Sequence, residues 1–331
     1  MGMSLDRGIV LAHVTDAHVA ASGKATAILK HRSAEILADL VEQCVDLGVD
    51  AALFGGDNID NRGSGAEDLE LFLRLTAPLP SFFCTFGNHE AQWPRPGRIT
   101  KADVAARLAG RGTDPELFCF AQTMGNVRVI GIDTTLVGSS GGYVSPGVMR
   151  FLHAELARAQ EEHVVVLGHH LLHRAWEPYS LQAWDEEYLV ANRAEVIALL
   201  ASCPRVRAYL CGHHHASRIQ RIACRGQSGG FYHVVSPSPA AFPCTARLLR
   251  FGEVGIEVEA LRPRIVGLAE ESREAVLDGR KARRFATLGA GRSFLEYVEG
   301  RAADNAAFLP YHGFVESRRD RTPERRAAAT W

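Results

Sequence analysis

Short apolar runs recur through the first two thirds of the chain, with helical patterns between them. Ile9–Thr15 and Ala51–Phe54 are continuous apolar segments of the kind that form buried strands. Between them Ser33–Leu47 places apolar residues three and four apart and stops at Gly48, which predicts a helix. The same reading predicts strands at Ser81–Phe86, Val127–Asp133, Val164–Leu167 and Val206–Cys211, and helices at Ala66–Leu75, Pro146–Gln160 and Val196–Ser202. After Gly212 the pattern changes to strands joined by short turns: Arg218–Ala223, Phe231–Ser236, Ala246–Phe251 and Gly255–Leu261. Alternation followed by a run of strands predicts an α/β fold of two sheets packed face to face with helices outside. From Pro263 the character shifts again, with one helix at Glu270–Phe285 and a strongly charged end. We therefore expect a catalytic-type domain at 1–262 and a partly helical extension at 263–331 that docks on its own domain or on a second copy of the chain.

Composition narrows the class. The 331 residues are 47% hydrophobic and 23% charged, enough for a large core in an ordinary globular protein. Lys+Arg 37 against Asp+Glu 38 gives a formal net charge of -1, which disfavours a nucleic-acid partner. Seven cysteines are scattered without a C-x-x-C pair, which argues against a disulfide framework or a structural zinc site and for a reducing compartment. The first residues lack the ordered regions of a secretory signal, and no apolar run is long enough to span a bilayer. A cytoplasmic location without a membrane partner is expected.

The candidate chemistry lies where the strands end. Five predicted strands each run into a small polar cluster: Asp16-Ala17-His18, Gly56-Asp57-Asn58, Gly87-Asn88-His89-Glu90, Gly168-His169-His170 and Gly212-His213-His214-His215. The carboxyl ends of strands in open α/β sheets converge on one crevice. Carboxylate, amide and imidazole donors would then meet there, a mixed shell suited to Zn, Fe or Mn.

In this order the clusters resemble the calcineurin-like metallophosphoesterase family, and most closely its bacterial class III phosphodiesterases, which act on cyclic nucleotides or glycerophosphodiesters. The resemblance covers residues 16–215 and implies a four-layer α/β/β/α sandwich reaching to about residue 262. It also implies two divalent ions, Mn, Fe or Zn. Asp16, His18 and His215 would hold the first, Asn88, His169 and His213 the second, and Asp57 would bridge them. Such a pair can activate a shared hydroxide and clamp a phosphoryl group for in-line attack. By the same resemblance His89 would act as general acid or charge stabiliser, with Asp60 orienting it.

Several assignments stay open at this level. GDNIDNRG (56–63) carries one residue more before its arginine than the family form GDxxDRG, so Arg62 is only a candidate phosphate contact. A one-residue slip would exchange His169 and His170, the latter otherwise a packing or substrate residue. His214, between two expected ligands on an extended segment, should point away from the metals. The other isolated histidines (His13, His31, His153, His163, His233, His312) read as surface or satisfied core residues. A long aromatic segment, with Trp176, Tyr179, Trp184 and Tyr188, reads either as a self-packed loop or as a specificity wall. GSSGG at 138–142 lacks the Lys-Ser/Thr of a phosphate loop and reads as a connection. The function expected is metal-dependent hydrolysis of a small phosphodiester. A phosphomonoesterase or nucleotide pyrophosphatase is the alternative enzyme, and a non-catalytic scaffold is disfavoured because all seven expected ligands are present.

Overall fold

The strands of the computed structural model explain the continuous apolar runs, because their side chains feed two different cores. In β1 (Val10–Val14), Leu11 joins the layer between two sheets, whereas Val10, Ala12 and Val14 face a helical layer. β2 (Ala51–Gly55) does the same, Ala51 and Leu53 pointing one way and Ala52 and Phe54 the other. Burial on both faces is the usual condition of parallel strands, and it removes any need for polar alternation. The structure describes residues 8–24, 26–175, 186–223, 230–287 and 293–311.

The first sheet contains β1, β2 and β3 (Phe82–Thr85) in parallel, continued antiparallel from β1 by β10 (Ala246–Phe251), β11 (Gly255–Leu261) and β12 (Ala307–Pro310). In the second, β5 (Val127–Gly131), β6 (His163–Leu167), β7 (Val206–Cys211) and β9 (Gly230–Val235) run parallel. Its antiparallel edges are β4 (Phe120–Met124) and β8 (Arg218–Ala223). Helices α1 (Ser33–Asp46), α2 (Gly65–Thr76) and α3 (Lys101–Leu108) cover the first sheet, and α4 (Pro146–Arg158) and α5 (Arg193–Ser202) cover the second. The result is the four-layer α/β/β/α sandwich.

Register places the site. Val14 pairs with Phe54, Gly55 with Thr85, and Leu167 with Leu210, so the loops that follow β1, β2 and β3, and those after β6 and β7, leave each sheet level with one another.

The predicted helix over 270–285 is instead two, α6 (Leu268–Leu277) and α7 (Arg280–Thr287), parted at Asp278-Gly279, where glycine lowers helix stability. Unanticipated are α3, whose Thr100 and Asp103 form a reciprocal N-terminal cap, and the short edge strand β4. Beyond α7 come α8 (Phe294–Glu299) and α9 (Ala302–Asn305), then β12, which pairs antiparallel with β11 through Gly255–Pro310 and Val258–Ala307. Val276, Phe285, Phe294, Tyr297 and Val298 join the core behind the second sheet. This part of the extension therefore docks on its own chain. Among the described residues no helix is long and apolar enough to cross a membrane, and the six cysteines are all free thiols.

Candidate metal centre

The chain turns sharply as it leaves these strands. Asp16, His18, Asp57, His213 and His215 all have φ between 45° and 63°. Left-handed backbone is rare for residues other than glycine, and such strain collects at functional sites. Gly56 sits at φ 90°, and a Cβ there would lie 2.6 Å from the Gly87 nitrogen and 2.7 Å from His169 Nδ1. Only glycine lets the β2 loop pass this close. Main-chain bonds then stitch the first two loops together, Asp16 N–H donating to the Gly56 carbonyl and His18 N–H to that of Asp57, both at 2.9 Å.

Three groups of donors result, the atoms in each lying within 4.8 Å of one another: Asp16, Asp57, His169 and His213; Asp16, His18 and His215; and His18, Asp57 and His89. His18 Nε2 faces His215 Nε2 at 3.3 Å, and His215 Nε2 lies 3.2 Å from Asp16 Oδ1. Asp57 stands between the two expected ligand sets, with Oδ2 3.9 Å from His18 Nε2 and Oδ1 3.7 Å from His169 Nε2. Asn88 Oδ1 and His169 Nε2 are buried without a hydrogen-bond partner. Isolated buried acceptors are costly, and a cation between them removes that cost. These residues fit a pair of divalent ions.

Neighbouring groups set which atoms face inward. His169 Nδ1 is bonded to the Gly55 carbonyl at 2.8 Å, leaving Nε2 as the acceptor. His213 Nε2 reaches the Ser140 carbonyl at 2.8 Å, so the GSSGG segment buttresses a candidate ligand. Asp16 Oδ2 accepts from the His213 N–H at 2.8 Å, tying the first sheet to the second. His170 lies outside the donor groups: its Nδ1 is bonded to Thr134 Oγ1 at 2.8 Å, and burial pushes its pKa well below the ordinary value.

His89, buried, lines the cavity beside these groups. Its Nδ1 bonds to the Asp60 carbonyl at 2.8 Å and lies 3.4 Å from the Asp60 carboxylate, while Nε2 lies 3.3 Å from Arg62 Nη2. Burial would lower its pKa, but the Asp57 and Asp60 carboxylates outweigh burial and raise it. Arg62 also lines the cavity of about 340 Å³ that holds His18, Asp57, Asn88 and His215. Trp176 and Tyr179 lie outside the described residues. Tyr188, from the same segment, is buried and stacks on His214 with ring centres 4.4 Å apart. His214, hydrogen-bonded to Tyr297 Oη at 2.7 Å, is absent from the donor groups.

Two supporting residues were not legible beforehand. Glu90, fully buried, accepts the N–H groups of Gly87 (2.7 Å), Asp57 (3.0 Å), Asn58 (2.7 Å) and Ile59 (3.1 Å), clamping the β2 and β3 loops together. Lys30 Nζ holds the Asp60 carboxylate at 2.6 Å. The place of Glu90 beside His89 was its only signal, and Lys30 had none.

Known proteins resemble this chain in sequence and in fold. The model of the calcineurin-like phosphoesterase family matches residues 9–217. The chain is 26% identical over 214 residues to the 3',5'-cyclic adenosine monophosphate phosphodiesterase CpdA of Pseudomonas aeruginosa, covering 63% of this chain and 71% of that protein. It is 27% identical over 219 residues to the DNA double-strand break repair protein Mre11 of Methanosarcina acetivorans, covering 64% of this chain but only 31% of that one. Among solved structures, a dimetal phosphatase from Danio rerio superposes with a TM-score of 0.60 at 18% identity, covering 78% of this chain and 98% of that one. A purple acid phosphatase from yellow lupin superposes with a TM-score of 0.55 at 16% identity, covering 77% and 51%. At these identities the structures share the fold.

Proposed function

Because the chain belongs to the calcineurin-like phosphoesterase family, we propose that it hydrolyses a small phosphodiester at a centre of two divalent ions. The observation that carries this reading is Asp57, whose two oxygens each face an imidazole nitrogen of a different ligand set. Asp16, His18 and His215 are proposed to hold one ion, Asn88, His169 and His213 the other, and Asp57 both. When bound, the ions supply activation of water and neutralisation of phosphoryl charge. His89, held through Nδ1 by Asp60, presents Nε2 to the leaving-group oxygen and gives it a proton. Arg62, adjacent to His89, is proposed to bind a phosphate oxygen, and Lys30 keeps Asp60 ionised and in place.

The diester preference rests on the similarity to the cyclic-AMP phosphodiesterase. We further propose residues 1–262 as the catalytic domain, and a cytoplasmic site of action compatible with the free thiols. The test is hydrolysis of bis(p-nitrophenyl) phosphate and p-nitrophenyl phosphate after chelation and after reloading with Mn. Turnover that vanishes with chelator, returns with Mn and favours the diester supports the reading. Preference for the monoester replaces it with a phosphomonoesterase, and inactivity of the Mn-loaded protein on both counts against hydrolysis.

A further inference from the structure

A second and larger cavity, about 580 Å³, adjoins the metal cavity, and Arg62 and His215 line both. Its volume lies within the range of small-molecule sites. Ile28 and Phe242 form one wall, while Ala275, Val276, Phe294 and Val298 come from α6 and α8. Val276, Phe294 and Val298 are buried, whereas the polar lining residues Thr26, Asp278 and Arg283 are exposed. The floor is therefore largely apolar, with the buried His214 and His215 on the side of the metal cavity, and the rim polar. Two of the cations are already engaged, Lys30 by the Asp60 carboxylate and Arg283 by the Asp278 carbonyl, so the chamber is poorly suited to a second phosphate. The walls from α6 and α8 lie outside residues 9–217, the part matched by the family model.

We propose that this chamber receives an apolar substituent, alkyl or aryl, carried by the scissile phosphate. The inference rests on the phosphoesterase reading above and specifies its substrate class. A phosphate bound at Arg62 has the chamber directly beside it, so its ester group leaves water for the apolar floor while the charged end stays at the ions. The extension then acts as a specificity element for a site whose ligands all come from residues 16–215.

The experiment measures binding as well as turnover. Methylphosphonate and octylphosphonate are titrated into the Mn-loaded full chain by calorimetry, beside hydrolysis of bis(p-nitrophenyl) phosphate. Each buried methylene is worth up to about fourfold in affinity, so octylphosphonate is expected to bind at least about tenfold tighter than methylphosphonate. Ala275→Trp fills the chamber and should reduce that preference to below about threefold, leaving methylphosphonate binding unchanged. Ala275→Gln, a smaller change in the same wall, should act in the same direction, and circular dichroism checks that both variants fold. Equal or undetectable binding of the two phosphonates overturns the inference, as does a preference that survives both variants, even if the diester is hydrolysed. An octyl preference in a protein that hydrolyses no ester leaves the chamber standing and removes the catalytic reading instead.

Discussion

The two halves of the candidate metal centre are secured in different ways. On the first sheet, Asp16, His18, Asp57 and Asn88 stand on loops held by one another's main chain and by the Glu90 carboxylate, all within residues 9–217. On the second sheet, the His213–His215 loop is held from both sides: His213 bonds to Asp16 and to the Ser140 carbonyl within that stretch, while the extension holds His214 and the residues that follow it. Tyr297 bonds to His214, Ser217 N–H donates to the Val298 carbonyl at 2.8 Å, and Ser217 Oγ donates to the Asp304 carbonyl at 3.0 Å. Asp304 in turn accepts from Ile219 N–H at 2.9 Å and Arg218 Nη1 at 3.1 Å. One half is braced wholly from within that stretch and the other leans in part on the extension.

The most severe way to break this arrangement is Asp57→Asn, which weakens both ligand sets at once. Activity should fall to below about a thousandth, the loss of several kcal/mol of charge stabilisation, and metal analysis should find fewer than two ions per chain. His89→Ala belongs to the self-braced half but lies outside the proposed ligands. We expect a loss of about 10²–10⁴ in kcat with metal content retained, and equal metal loss would show that His89 is structural. Glu90→Leu tests the brace itself: it strands four buried N–H groups, and thermal unfolding should show a loss of at least about 1–3 kcal/mol. Tyr297→Phe tests the leaning half. Metal affinity should fall by up to about tenfold, read by competition with a chelator, and stability by about 1–3 kcal/mol, because buried His214 loses that hydrogen bond. If Tyr297→Phe leaves metal affinity untouched, the contrast between the halves disappears.

The polar clusters were legible because apolar runs announce buried strands and each cluster closes one, while their assignment as ligands came from the family resemblance. The two packed sheets were legible from strand–helix alternation followed by a run of strands, and the four layers from the resemblance. Glu90 and Lys30 were not, since their roles depend on neighbours that folding alone brings near. Lys30 lies thirty positions before Asp60, with nothing in its own surroundings to mark it. His169 and His170 were separable only once Thr134 was seen to take the second ring and Gly55 to orient the first. The single helix expected at 270–285 failed at Gly279, where a charged, otherwise helical pattern outweighed one residue in the reading but not in the fold.

β12 has a bearing on solubility. It covers the outer margin of β11, whose main-chain donors and acceptors would otherwise form an open edge of the first sheet. A chain cut after Leu261 would retain every proposed ligand and still expose that edge, a template for pairing with another molecule. Residues 307–310 replace that seven-residue edge with one of four residues ending in Pro310, a shorter template for edge-to-edge pairing and a service independent of any chemistry at the other end of the strands.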